Sequence, residues 1–394
     1  MKNDTVLIIE PDFSGHRWRY AQWAANAYME AGLRCLIVTE PRNAGHPLVK
    51  QIQEQGGDAL GITFVAPPEP SGRKGLASIS YVRAHANFKH AYAVAGRERN
   101  VALVVVPYVD YFLLALPFLR SPFGATPWVG VTMRSNFHHH LVGVRAPRRP
   151  LVNAVKSRLF ARAIRVGGMK TLLTIDPTLP DWWKRNGRHA RGTSIDYLAD
   201  PFPDAQAAEP SAARRRLGLS RGTHVLVYGA INDRKGIFEL MDALAKRNDG
   251  VHTPRLVIAG AQDNDVRALL TDAAGKLSPA PIVMDRFISS EMELDLFSAC
   301  DVVWLGYKGH YGMSGVLVQA FRFGKPVIAT ADGLIGWFCR TGELGPVIDD
   351  LTPASINRAL DDVLARRTRP VAAGHLLERN TLGQFKETLR QAIA

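Results

Sequence analysis

The sequence predicts an α/β protein built from two doubly wound, Rossmann-like domains. Three observations carry that prediction. At 394 residues the chain is long for one hydrophobic core, so two domains are expected. Short β-branched runs alternate with helix-length segments, the pattern of a parallel sheet covered on both faces. The alternation then restarts after "ADPFPDAQAAEPSAA" (199–213), a stretch of prolines and small or polar residues that reads as a linker.

In the first half, "VLIIE" (Val6–Glu10) is a strand, "PDFSGH" a loop, and Arg17 to about Glu30 an amphipathic helix. "LRCLIVTE", "VALVVV", "PWVGVTM" and "TLLTID" are further strands. The apolar run "VALVVVPYVDYFLLALPFL" is broken by Pro107 and Asp110, so it reads as a buried strand, a loop and a short helix rather than a membrane span. Beyond the linker, "HVLVYGA", "RLVIAGA", "PIVMDRF", "DVVWLGY" and "KPVIAT" are strands, while "GIFELMDALAKR", "SSEMELDLFSAC" and "TLGQFKETLRQAIA" are helices. The expected division is 1–200, 201–375 and a final helical segment, 376–394.

The first residues run straight into a strand, which is not the pattern of a signal peptide. Three cysteines without metal spacing fit a reducing, cytoplasmic setting. The net charge of +13 is uneven: residues 1–200 hold 26 Lys and Arg against 14 Asp and Glu, the remainder 23 against 22. Such asymmetry suggests an anionic partner for the first half. Its densest stretch, 145–170, carries Arg145, Arg148, Arg149, Lys156, Arg158, Arg162, Arg165 and Lys170 and no acid. Val152, Val155, Leu159, Phe160, Ala163 and Val166 form an apolar stripe on it, as in a helix lying on an anionic membrane surface. His138–His140 lack ligand partners at useful spacing, so the run reads as a polar loop, and no metal is expected.

Two turns in the second half suit a phosphate. Gly309–Gly315 reads G-H-Y-G-M-S-G and leads into "VLVQAFRF", which has helical spacing. A helix starting there offers unpaired N–H groups and the positive end of its dipole, and Ser314 can cap it or bind an oxygen. In "YGAINDRKG" (228–236), Lys235 and Arg234 stand where another helix begins, able to neutralise a phosphate. Two such turns in one domain point to a nucleoside diphosphate. Neither a Walker A motif nor a G-x-G-x-x-G fingerprint is present.

"RRRLGLSRGTHVLVYGAINDRKGIFELMDAL", "LVIAGA", "LDLFSACDVVWLGY" and "YGMSGVLVQAFRFGKPVIAT" together resemble the C-terminal half of family 4 retaining glycosyltransferases (glycosyl transferases group 1) of the GT-B fold. The similarity covers residues 214–350; the first half agrees in layout only. The resemblance implies two domains facing a cleft, a final helix crossing back to the first domain, and a nucleotide-sugar, a UDP- or GDP-sugar, held by the second domain without a cofactor or metal. On the donor side it implies Gly229, Gly236, Arg286, His310, Tyr311, Gly312, Met313, Ser314, Gly315, Val316 and Gln319. For the acceptor it implies Gly15 and Arg17, and for catalysis Lys235, Arg234, His16, Asp110 and Arg134. Tyr311 and Gln319 stand where the family has two glutamates, Ala230 where it has an arginine, and Arg134 where it often has a histidine. Retention there is thought to need no protein nucleophile, because the leaving diphosphate deprotonates the acceptor hydroxyl. The implied activity is hexosyl transfer to a glycan or lipid-linked acceptor in bacterial surface polysaccharide or glycolipid synthesis, on the inner face of the cytoplasmic membrane. A non-catalytic relative, an inverting GT-B enzyme and a nucleic-acid-binding protein are the alternatives; the last lacks any recognised motif.

Overall fold

The computed structural model describes residues 4–15, 17–55, 57–69, 80–186, 193–202, 206–247, 253–272, 277–365 and 376–393. The chain forms two compact units: Met1–His138, Arg148–Ala199 and Leu382–Ala394 make the first, His139–Pro147 and Asp200–Thr381 the second.

The first unit holds β1 (Thr5–Ile9), α1 (Arg17–Glu30), β2 (Arg34–Thr39), α2 (Pro47–Gln55), β3 (Leu60–Phe64), α3 (Ser80–Ala95), β4 (Val101–Val106), α4 (Leu116–Leu119), β5 (Trp128–Thr132), α5 (Pro150–Val166), β6 (Thr171–Thr174), α6 (Thr178–Asn186) and β7 (Ser194–Tyr197). Its strands are all parallel, in the order β3-β2-β1-β4-β5-β6-β7. The central strands are wholly buried, as double coverage requires. The sequence reading names neither β3 nor β7. Both lie at sheet edges with half-exposed residues, so neither needs the continuous apolar run that marks an inner strand.

The second unit runs α7 (Pro210–Leu217), β8 (His224–Tyr228), α8 (Ile237–Ala245), β9 (Arg255–Ala259), α9 (Asn264–Asp272), β10 (Ile282–Met284), α10 (Ser290–Ala299), β11 (Val302–Leu305), α11 (Gly315–Arg322), β12 (Val327–Thr330), α12 (Gly333–Gly342), β13 (Val347–Ile348) and α13 (Pro353–Ala365). Its sheet is parallel, ordered β10-β9-β8-β11-β12-β13. The stretch read as linker already contains the start of α7: Glu209 caps the helix by accepting the Ala212 N–H at 2.7 Å, and Pro210 takes a first-turn position where its missing N–H costs nothing.

Two segments depart from a single cut near residue 200. His139–Pro147 belongs to the second unit, where Arg145 pairs with Asp332 at 3.0 Å and Asp349 at 2.6 Å and its carbonyl accepts the Gly333 N–H at 2.8 Å. The last helix, α14 (Leu382–Gln391), belongs to the first. Its Phe385 ring packs edge-on against Tyr20 and Trp23 of α1, at 5.4 and 5.7 Å between centroids, while Lys386 and Arg390 both pair with Glu30. Among the described residues no helix is long and apolar enough to cross a membrane. All three cysteines are buried free thiols.

Truncating a buried aromatic leaves a cavity among unrelaxed neighbours. Phe385→Ala is therefore expected to destabilise the first unit by about 3–5 kcal/mol, read as a lowered denaturation midpoint.

Candidate functional site

In a doubly wound sheet the connections on either side of a reversal in strand order leave in opposite directions and open a crevice at the strands' carboxyl ends. The second unit reverses between β8 and β11. β8 ends in Gly229 at φ +101°, a short 3-10 turn covers Asp233–Lys235, and Gly236 at φ +64° starts α8. A Cβ at Gly236 would stand 2.2 Å from the Gly306 carbonyl oxygen, so only glycine lets this turn press against the end of β11.

That packing fixes Lys235. Its ammonium donates to the Tyr228 carbonyl at 3.0 Å and the Tyr307 hydroxyl at 2.6 Å, and lies 4.2 Å from the centre of the Tyr307 ring. It is half-buried and has no carboxylate partner among the described residues. The acids of the turn are engaged elsewhere: Asp233 and Glu239 both pair with Lys308. A half-buried cation left with neutral partners is poised for an anion.

The glycine turn follows β11. Gly309 adopts φ +62°, whereas Gly312 and Gly315 need no left-handed backbone. His310 donates from Nε2 to the Met313 carbonyl at 3.1 Å and accepts at Nδ1 from Arg234, at 3.4 Å. Burial holds its pKa below the usual histidine range, with the Arg234 and Lys235 charges acting in the same direction, so the ring is neutral near pH 7. Ser314 precedes α11 but its hydroxyl makes no cap bond; its carbonyl accepts the Leu317 N–H at 3.0 Å, which leaves the hydroxyl and the Gly315 and Val316 N–H groups available. Gln319, one turn further in, is 1% exposed, and neither its amide oxygen nor its amide nitrogen has a hydrogen-bond partner. An orphaned buried amide costs stability unless something pairs with it.

Tyr307 links the two turns: its hydroxyl accepts from Lys235 and its ring packs edge-on against His310 at 5.7 Å between centroids, so Lys235, Arg234, His310 and Met313 come together, with Gly229 and Gly236 shaping the backbone. Val316 and Gly315 lie in the first turn of α11. Tyr311, half-exposed, gives its carbonyl to the Leu334 N–H at 3.2 Å. Arg286 is exposed beyond β10, with Nη2 3.7 Å from Met292 Sδ, and among the described residues it does not join the others. Tyr307, which holds Lys235, is absent from the residues the sequence nominates. Its only signal was a tyrosine just after a buried strand, and its role depends on two loops meeting.

The first unit reverses between β1 and β4. There the Arg17 guanidinium donates to Asp12 and, at 2.8 Å, to the Tyr111 hydroxyl, while Tyr111 donates to Glu10 Oε1 at 3.1 Å. Arg17 and Arg134 lie 5.0 and 5.3 Å from the centre of one ring, Tyr108. Gly15 takes φ +65° immediately before; His16 lies outside the described residues. Asp110 differs from the expectation of an open carboxylate beyond β4. It accepts from the Thr132 hydroxyl and the Met133 N–H, both at 2.7 Å, so it anchors the end of β5 and with it Arg134. Burial outweighs those bonds and lifts its pKa above the ordinary range. Glu10, which the sequence reading passed over as a strand end, is fully buried; burial raises its pKa to about 8, against the lowering by the Asp12 N–H, Arg17 and Tyr111.

The His138–His140 run is not a solvated loop. His138 is buried 3.2 Å from Asp176 and 3.0 Å from the Thr178 hydroxyl, and only His140 is exposed. The basic segment divides into residues with internal partners and residues facing solvent. Arg145 is committed to Asp332 and Asp349, Arg162 to the Pro117 carbonyl and Lys170 to the Ile393 carbonyl. Phe160 and Ala163 bury inward, while Leu151, at 84% exposure, Val152 and Val155 face solvent with Arg148, Arg149, Lys156 and Arg158.

Residues 212–375 match the family model described as Glycosyl transferases group 1. The lipopolysaccharide core biosynthesis glycosyltransferase LpsE of Rhizobium meliloti is 28% identical over 174 residues, 43% of this chain and 46% of that protein, so the match spans less than half of the relative. Among solved structures, the sucrose-phosphate synthase of Thermosynechococcus elongatus superposes with a TM-score of 0.65 at 14% identity, covering 99% of this chain and 95% of that one. HepE of Anabaena, in complex with UDP, gives 0.64 at 14% identity over 99% of each chain. The fold is that of the GT-B glycosyltransferases, as the resemblance in the sequence implied.

Gln319→Met removes the orphaned amide at nearly constant volume. It is expected to raise stability by about 1–3 kcal/mol, the cost of an unsatisfied buried group, seen as a higher denaturation midpoint of the unliganded protein.

Proposed function

We propose, from the premise that residues 212–375 are a group 1 glycosyl transferase domain, that this protein transfers a hexose from a nucleoside diphosphate sugar to a hydroxyl of a glycan or lipid-linked acceptor, with retention and without a metal. The observation that carries this reading is Lys235, a half-buried ammonium without a carboxylate partner at the β8/β11 crevice. In this proposal the diphosphate lies between Lys235, Arg234 and the Gly315 and Val316 amides of α11, and the orphaned Gln319 amide pairs with the ribose. Charge grows on the diphosphate as the sugar leaves; fixed donors already aimed there lower the barrier. Its oxygen then takes the acceptor proton, so no protein nucleophile is required. A neutral His310, its ring nitrogens engaged by Met313 and Arg234, orients the Arg234 guanidinium and adds no charge beside the donor.

Uridine is the base we favour, because the similar fold of HepE is known with UDP and with UDP-glucose. The LpsE likeness favours an acceptor of the lipopolysaccharide core class. We assign the acceptor to the first unit, through Gly15, Arg17 and Arg134, and an anionic membrane surface to the exposed start of α5. Each basic residue near such a surface contributes about 1 kcal/mol. A non-catalytic relative is the second reading, favoured by Tyr311 in place of a carboxylate.

A thermal-shift screen with UDP, GDP and their sugar conjugates tests the donor site: UDP is expected to raise the melting temperature, and UDP-glucose to be slowly hydrolysed. Stabilisation without turnover in the presence of acceptor would select the non-catalytic reading, and no shift with any nucleotide would end the proposal. Lys235→Ala is expected to lower turnover by about tenfold or more, measured as nucleoside diphosphate release. Flotation with anionic liposomes at low salt is expected to carry the protein, and Leu151→Glu with Val155→Glu to abolish it.

A further inference from the structure

We infer that Glu10 is a positioning residue for Arg17: it fixes the Tyr111 hydroxyl, and Tyr111 with Asp12 fixes the guanidinium at the start of α1. The inference rests on reading Arg17 as an acceptor contact. Glu10 ends β1 with no exposed surface. Its Oε1 accepts both the Asp12 N–H and the Tyr111 O–H, each at 3.1 Å, and Oε2 has no partner. Tyr111 in turn accepts from Arg17 Nη1 at 2.8 Å. The acid is therefore one tyrosine removed from the guanidinium and lies behind the loop that Asp12 organises.

The groups facing Glu10 are Asp12 from that loop, Arg17 from α1, and Tyr108 and Tyr111 from the segment after β4. Neutral, Glu10 exerts no pull on Arg17, which stays on Asp12 at the mouth of the crevice. Ionised, it becomes a second buried acceptor with an unfilled oxygen, competing with Asp12 for the only cation among those groups. Arg17 then draws inward. Burial keeps the proton on up to about pH 8, so the outward position is the one held at neutral pH.

The linkage has a definite sign. Below about pH 4.5 Glu10 is protonated whether the chain is folded or not; between 4.5 and about 8 only the folded chain keeps the proton. Stability contributed by this group accordingly falls as pH rises across that window. Glu10→Gln, which keeps the acceptor oxygen for Asp12 and Tyr111, removes the effect.

The test is the Arg17 side-chain Nε signal in the NMR spectrum of the full chain, assigned by its loss in Arg17→Ala and followed from pH 6.5 to 9.5. It is expected to move with a midpoint near 8 in the parent and to stay fixed in Glu10→Gln. Thermal unfolding supplies the second readout: the melting temperature of Glu10→Gln should gain on the parent from pH 5 to 8. A signal that does not move in the parent, or moves identically in Glu10→Gln, overturns the inference. If the acceptor reading alone is wrong, Arg17→Ala leaves transfer unchanged while the coupling in the spectrum persists.

Discussion

In a parallel sheet every strand must be followed by a crossover, and where the strand order reverses, neighbouring crossovers depart to opposite faces and leave the strand ends uncovered. Both units obey this constraint, at β1/β4 and at β8/β11, and the charged groups of the candidate site stand at those two places. Lys235 stands at β8/β11. Glu10, Asp110, Arg17 and Arg134 gather at β1/β4. The chemistry follows the topology because only there can a side chain be half-desolvated while its surroundings stay open to a ligand.

The two crevices solve the problem of charge differently. The second unit keeps a cation among neutral oxygens and diverts the nearby acids, Asp233 and Glu239, to Lys308. The first unit compensates internally: Arg17 pairs with Asp12, Asp110 is saturated by the end of β5, and Glu10 stays protonated. One crevice holds a cation among neutral oxygens; the other presents arginines held by rings and carboxylates.

Much of the frame was legible in the residues. Apolar β-branched runs marked the inner strands because burial on both faces demands them, and Arg17–Glu30 showed its helix by its spacing. The edge strands β3 and β7 escaped notice because half-exposed positions carry no such demand. At the site, glycines followed by a helix pattern announced the turn that leads into α11. Tyr307 and Glu10 went unread, since one acts by meeting a loop 72 positions away and the other by losing its water.

By itself the sequence determined two parallel α/β halves, the two glycine-bearing turns that lead into α8 and α11 and the excess of positive charge in the first half, because periodicity, glycine and charge are local properties. Tertiary structure decided what locality cannot. It spent Arg145, Arg162 and Lys170 on internal partners and buried His138, and it handed His139–Pro147 to the second unit. Among the described residues it also left Lys235 without a counter-ion and the Gln319 amide without a partner. Whether a polar group is satisfied depends on which distant atoms come within about 3 Å of it, and that distance is fixed only when the chain has folded.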